Sequence, residues 1–259
     1  MRRYWIGQLG FNDCDKLNLT HDLFHHIIDV CRQNVGSRFE VLNDEGKAFL
    51  VEVIELGKKS AQVKLLEERI ITPLKKPFIH LVLSIPKFSP LESVLEKSVE
   101  LGVSSLIPVT SEFSFIKNFS TKDWEHKFQR WQKIIISATQ QSGRGELMKL
   151  ESPRPFKTFL ETLNRNPQDL SLFLYEGDSQ NNIKHYLNKR KSSLSQPIEN
   201  IYIIIGSEGG FSTQEVKQLE LQGLSPVTLG EQILRVETAC ITAVSVLKYE
   251  FDLMGGLSK

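Results

Sequence analysis

Ile201-Tyr-Ile-Ile-Ile-Gly-Ser-Glu-Gly-Gly-Phe-Ser212, followed by Val227-Thr-Leu-Gly-Glu-Gln-Ile-Leu-Arg-Val-Glu-Thr-Ala239, decides how this chain reads. Ile201 to Ile205 is a short, unbroken run of β-branched and aromatic residues, the pattern of a strand buried on both faces in a parallel sheet. Gly206 ends it. Three glycines within five residues (Gly206, Gly209 and Gly210) then let the backbone turn sharply and approach a ligand closely. Ser212 or Thr213 can cap a helix, and Glu215 stands three residues after Ser212, as a capping box requires. Strand, glycine turn and helix start together form the unit that places ligands at the carboxyl ends of strands in open α/β sheets.

The loop lacks both the G-x-G-x-x-G dinucleotide fingerprint and the Gly-Lys-Ser/Thr of a P-loop, and Glu208 within it would repel a phosphate. A ligand with positive charge, or one held through sugar and base, suits it better. On its own such a turn reads equally as plain connection. The second half adds weight: Val227 to Leu229 is another short apolar run ending in Gly230, and Glu231 to Arg235 can bend back before a long apolar helix begins near Glu237. Two such turns in succession make a pocket.

The rest of the chain reads as support. Its 259 residues, 40% of them hydrophobic, can bury a sizeable core and leave room for two domains. Apolar runs are all too short to cross a bilayer, and Met1-Arg-Arg-Tyr-Trp-Ile-Gly-Gln lacks the apolar core of a signal peptide, so the expected location is the cytoplasm. Cys14, Cys31 and Cys240 are widely spaced without a C-x-x-C, which fits reduced thiols and argues against disulfides or a metal site. Lys and Arg total 32 against 31 acidic residues, so any nucleic-acid surface must come from local patches.

Up to about residue 72 the chain predicts strands: Arg2 to Gly7, then a helix from His21 to Arg32 capped by Thr20. Two hairpins follow, turning at Asp44-Glu-Gly46 and at Gly57-Lys-Lys-Ser60. Strands so close together predict a small barrel. Arg2 and Arg3, beside Tyr4 and Trp5, can grip phosphate and stack on a base, although a solvated terminus with core aromatics explains them almost as well. His25 and His26 read as surface or satisfied core residues rather than ligands, and Lys58 and Lys59 as solvated turn charge. Ile70-Ile-Thr-Pro-Leu-Lys-Lys-Pro77 looks like a domain connection, which divides the chain into 1–72 and 73–259.

Beyond it, Phe78 to Ser84 (strand), Leu91 to Leu101 (helix, stopped by Gly102) and Val103 to Val109 (strand) alternate as a parallel α/β domain does. Asp123 to Ser142 is the next helix. Arg144, after a helix and a glycine, is a candidate phosphate contact on a flexible base. Leu170 to Glu176 is a further strand, with Glu176 on the same rim as Gly206 if the two strands are parallel neighbours. Lys184 to Gln196 reads as an exposed helix end and loop. The last helix, Thr238 to Leu253, is apolar nearly all round, so it must be covered, and a partner subunit is the expected cover.

Gly206-Ser-Glu-Gly-Gly-Phe-Ser212 with Leu229-Gly-x-x-Ile-Leu-Arg-x-Glu-Thr-Ala239 resembles the signature of the RsmE family, the small-subunit ribosomal RNA uracil-N3 methyltransferases of the SPOUT superfamily. Leu95-Glu-Lys-Ser-Val-Glu-Leu-Gly-Val103, Arg130-Trp-x-Lys-Ile and Ala138-x-x-Gln-Ser-Gly-Arg144 are similar to the family as well. The sequence departs from it at Ser207, where a proline is usual, and in lacking the proline commonly found after Arg144.

The resemblance implies a PUA-like β-barrel that contacts RNA, then an α/β methyltransferase domain with a C-terminal trefoil knot, in a homodimer. It implies S-adenosyl-L-methionine as cofactor, no metal, and N3 of a uridine in 16S ribosomal RNA or the small ribosomal subunit as target. Leu229, Gly230, Ile233, Leu234 and Thr238 would surround the adenine. Leu174, Glu176 and Gly206 would meet the ribose and methionine parts, and Glu208, Gly209 and Arg235 would bind the cofactor as well. Uracil N3 would attack the methyl carbon, with Arg235 facing the developing negative charge and Glu208 or Glu237 taking the proton. Glu237 reads equally as first-turn charge on the last helix, worth under about 1 kcal/mol. Two rivals remain at this point: a non-catalytic RNA-binding protein with a vestigial pocket, and a SPOUT methyltransferase acting on another RNA.

Overall fold

The computed structural model describes residues 1–117, 121–163, 166–177, 181–193 and 196–255. Contacts divide them into two compact units, Met1–Pro73 with Ile136–Leu147, and Leu74–Ile135 with Met148 onward.

In the first unit β1 (Arg3–Gly7), β3 (Arg38–Asn43), β4 (Lys47–Leu56), β5 (Ser60–Ile70) and β2 (Lys16–Thr20) form one curled five-stranded sheet in that spatial order. Both expected hairpins form with their turns where the Gly46 and Gly57 signals put them. Bulges at Leu66 of β5, opposite Leu50/Val51, and at Ile54 of β4 increase the local twist and bend both strands. The concave face encloses Tyr4, Leu19, Ile27, Phe39, Val51 and Val63. The predicted helix is shorter than expected and changes type: α1 (His21–Phe24) runs into a π-helical turn, His25–Val30. Thr20 makes no side-chain cap, because it is already the last residue of β2, a strand not read in the sequence. Leu23, Ile27, Ile28 and Cys31 nevertheless face the core, and His25 and His26 are exposed as expected.

Stacking of RNA on Tyr4 and Trp5 is corrected. Tyr4 is 3% exposed and packs edge-on to Phe39 at 5.0 Å, while Trp5 packs with Leu42 and Ala48, so both rings belong to the core. Alternation along β1 and burial of its whole middle leave neither ring a free face.

The second unit is a parallel sheet ordered β12 (Pro226–Val227), β10 (Asp169–Leu174), β11 (Asn200–Ile205), β6 (Phe78–Ser84), β7 (Ser105–Thr110), β8 (Lys149–Leu150), with β9 (Arg154–Pro155) also paired to β7. The Ile201–Ile205 run lies between β10 and β6, and four of its five residues are buried. Central position and two covered faces are what its unbroken apolar pattern requires. Helices α2 (Phe88–Glu100), α3 (Thr121–Ser142), α4 (Phe156–Leu160), α5 (Ile183–Ser193), α6 (Thr213–Leu221) and α7 (Val236–Glu250) complete the described elements.

α2 begins three residues before the expected Leu91 and ends on Gly102, whose φ of +74° completes a Schellman turn: Val103 N–H donates to the Ser98 carbonyl and Gly102 N–H to that of Val99. The segment read as an exposed helix end and loop is mostly helix α5, anchored by buried Ile183, Tyr186 and Leu187. The Tyr186 hydroxyl donates to the Ser171 carbonyl at 2.6 Å. Residues 194 and 195 of that reading lie outside the described residues. α7 buries Val236, Cys240, Ala243, Val244 and Leu247, leaving Ile241 and Val246 half-buried and Tyr249 75% exposed. Among the described residues no helix is long and apolar enough to cross a membrane.

Candidate active site

Because β10 and β11 are parallel neighbours, their carboxyl ends reach one rim, and β12 adds the chain from Thr228 onward beside them. The result is a cleft of about 500 Å³. Three segments make its walls: Leu174 to Glu176 after β10, the glycine turn after β11, and the Thr228–Ala239 stretch that bends back into α7.

The glycine turn is built tightly. Gly210 N–H donates to the Ser207 carbonyl at 2.9 Å, so the backbone doubles back within four residues. A Cβ on Gly206 would lie 2.8 Å from the Gly210 backbone, and one on Gly210, whose φ is +68°, would land on the Glu176 carboxylate. A side chain at Gly206 would have to displace backbone, and at Gly210 the positive φ disfavours any other residue. Beyond the turn the predicted capping box is complete: Ser212 Oγ accepts from Glu215 N–H at 3.3 Å, and Glu215 Oε2 accepts from Ser212 N–H at 3.0 Å. Glu215 is 7% exposed, and its other oxygen accepts from Glu112 N–H at 2.8 Å.

Ser207, where the family usually has proline, does not leave the turn slack. Its hydroxyl donates to the Phe113 carbonyl at 2.6 Å, a tether that stands in for a fixed φ. The opposite wall is tied likewise, Thr228 Oγ1 bonding both the carbonyl and the N–H of Gly230.

Most residues singled out in the sequence meet here: Leu174, Glu176, Gly206, Glu208, Leu229, Gly230, Ile233, Leu234, Arg235 and Glu237 all line the cleft. Ile233 is 83% exposed on its wall. Two do not. Gly209 faces away, where a Cβ would sit 2.8 Å from Phe113 Cβ, and its smallness serves packing against that residue. Thr238 lies on α7 outside the lining, because the helical turn presents Glu237 and Ala239 to the cleft instead. Glu208 is also more committed than expected, its Oε1 accepting the Lys87 N–H at 3.1 Å, at the start of α2.

Lys87 and Pro90, at the start of α2, also belong to the wall and were not read from the sequence as site residues. Their position directly after strand β6 was the available signal, since parallel strands collect ligand sites at their carboxyl ends. Four carboxylates (Glu176, Glu208, Glu231 and Glu237) face the cleft against two cations, Lys87 and Arg235. Such a wall favours a positively charged ligand over a free phosphate. Backbone exposed by glycine on one side and apolar side chains on the other fit a compact ligand with a sulfonium and an adenine.

The three arginines expected to touch RNA lie elsewhere. Arg144 is corrected: at 9% exposure it is buried, not on a flexible base, and desolvation lowers its pKa to about 10. Arg3 is held by Glu40 at 2.9 Å and by the Gln141 carbonyl. Arg2 is exposed and donates to the Cys31 carbonyl at 3.0 Å.

The chain combines a parallel α/β domain, with a glycine-walled cleft at its strand ends, and a curled, mainly antiparallel sheet before it, and its family matches place it among the RNA methyltransferases. The family model described as an RNA methyltransferase domain matches residues 73–248, and that of the RNA methyltransferase PUA domain matches 19–66. The chain belongs to the RsmE family, the proteins named ribosomal RNA small subunit methyltransferase E. It is 33% identical to the protein of that name from Mesomycoplasma hyopneumoniae over 93% of this chain and 96% of that one. For the Buchnera aphidicola (Acyrthosiphon pisum) protein the identity is 30%, over 90% and 87%. The crystal structure of the Neisseria gonorrhoeae protein of the same name, bound to S-adenosyl methionine, is similar at a TM-score of 0.81 and 26% identity, over 96% of this chain and 98% of that one.

Proposed function

We propose that the chain transfers a methyl group from S-adenosyl-L-methionine to N3 of a uridine in 16S ribosomal RNA. The observation that carries this is the joining of the glycine turn, the carboxylate-rich wall and Arg235 in one cleft, in a chain of this family. A purely RNA-binding role is not favoured, because relatives matching most of the chain are named methyltransferases and a similar structure holds S-adenosyl methionine.

When bound, the cofactor supplies an electrophilic methyl carbon. The protein's residues supply the rest. Gly206, Glu176 and Leu174 would hold the ribose and methionine end, and Leu229, Gly230, Ile233 and Leu234 the adenine. Uracil N3 carries a proton at neutral pH, and losing it leaves negative charge on the ring. Arg235 is exposed in the cleft and, among the described residues, has no ion-pair partner, so its guanidinium is available to that charge. Glu237, in the first turn of α7 and in the cleft lining, takes the proton in this reading, since Glu208 already accepts the Lys87 N–H.

The same reading extends to a trefoil knot, to a homodimer in which the partner covers the half-buried Ile241 and Val246 and the exposed Tyr249, and to a cytoplasmic location. Domain bounds of 1–72 and 73–259 belong to it too, with Arg2 as the remaining exposed arginine for RNA. Light scattering that gave a monomer would remove the dimer. Calorimetry tests the core of the proposal: the full chain should bind S-adenosyl-L-methionine, and Gly206→Val should not. Equal heats from both proteins would overturn it.

A further inference from the structure

Phe113 and Phe115 are 47% and 53% exposed, yet neither sits on a slack loop. Ser111 N–H donates to Ser114 Oγ at 2.8 Å, Glu112 N–H to Glu215 at 2.8 Å, and Phe115 N–H to the Ile85 carbonyl at 2.8 Å. The Phe113 carbonyl takes the Ser207 hydroxyl at 2.6 Å. Both aromatic residues are therefore fixed to the wall that carries the glycine turn. Rings of this size normally repay burial, so two held out on a pinned turn call for a ligand.

Their surroundings say which ligand. Phe113 abuts Gly209, which lies between Glu208 and Gly210 of the cleft wall, so the ring is adjacent to the glycine turn but outside the lining itself. Phe115 meets Phe88 edge-on at 5.8 Å, and the Lys127 ammonium stands 4.0 Å from the Phe88 ring centre. Lys87, next to Phe88, lines the cleft itself. Of the acidic groups at this rim, Glu208 is turned to the Lys87 N–H, and the Glu112 side chain is exposed. Flat π-faces next to the glycine turn, with lysines nearby, match a single-stranded nucleic acid, whose bases stack on aromatic rings while its phosphates meet lysines.

We propose that Phe113, with Phe115, is a stacking platform for a nucleobase of the substrate RNA beside the reacting uridine. This rests on the methyltransferase reading for its substrate but not for its measurement. The full chain is titrated with a fluorescein-labelled, single-stranded, uridine-rich RNA, and separately with S-adenosyl-L-methionine, as wild type, Phe113→Ala, Phe115→Ala and Phe113→Trp.

Phe113→Ala should weaken RNA binding about 5- to 100-fold, as loss of one aromatic–base stack does, with cofactor affinity changed less than about 2-fold. Phe113→Trp should keep the RNA affinity and show emission quenched by RNA. Unchanged RNA affinity in both alanine variants overturns the platform. So does dissociation of a wild-type dimer by Phe113→Ala in light scattering, which would make a second copy of the chain the occupant. If RNA binding depends on the rings but the cofactor does not bind, the platform stands and the methyltransferase reading fails.

Discussion

At Arg235 two demands conflict. It is the N-cap of α7, φ −64° and ψ 155°, where the helix dipole disfavours a cation by about 0.3–1 kcal/mol. The carboxylates of Glu231 and Glu237 share its cleft but none forms an ion pair with it among the described residues. A cation left there serves charge that appears during reaction. Arg235→Ala should therefore lower single-turnover methyl transfer about 100-fold or more while leaving melting temperature unchanged or slightly raised. A variant with full activity would remove Arg235 from the chemistry. His80 shows the opposite bargain. Its ring is stacked on Tyr202 and bonds Ser105 and Asn200, and burial holds its pKa below the usual histidine value. With a lowered folded pKa, the unfolded chain binds the proton first as pH falls, so stability should drop on acidification below about pH 6.5. In His80→Asn, urea denaturation should show a shallower drop over that range, and an unchanged pH profile would exclude His80 as its source.

Among the elements, α6 was the most legible and the most interlocked. Ser212 and Glu215 were visible in sequence because a capping box is a local pattern four residues long. The third bond, Glu215 to Glu112 N–H, was not, because it joins positions 103 apart. Ser212→Ala should cost about 1 kcal/mol in urea denaturation, and Glu215→Ala more, about 2–3 kcal/mol, since it strands the buried Ser212 N–H and the Glu112 N–H together. Equal losses would mean the cross-link to Glu112 contributes nothing. Other elements were less legible. β2 is Lys-Leu-Asn-Leu-Thr, too short for its alternation to stand out, and the π-turn His25–Val30 shares its apolar spacing with an ordinary helix. Of the cleft, the two glycine turns were readable from composition; Lys87 and Pro90 were not, because their part depends on which strands are neighbours.

For the molecule as a whole, hydrophobic periodicity separated a strand-rich N-terminal part from an alternating α/β part, but it could not show that Ile136–Leu147, continuous with α3, packs within the first unit. A helix face records that it is covered, not by what. The same limit applies to the target base, which no residue pattern names. Methyl transfer by the purified full chain to 16S ribosomal RNA lacking the modification, followed by digestion and mass spectrometry of the nucleosides, reaches that question directly. The account predicts 3-methyluridine, formed only with S-adenosyl-L-methionine present and lost in Gly206→Val. Methyl on another base or on ribose, or none at all, would contradict it.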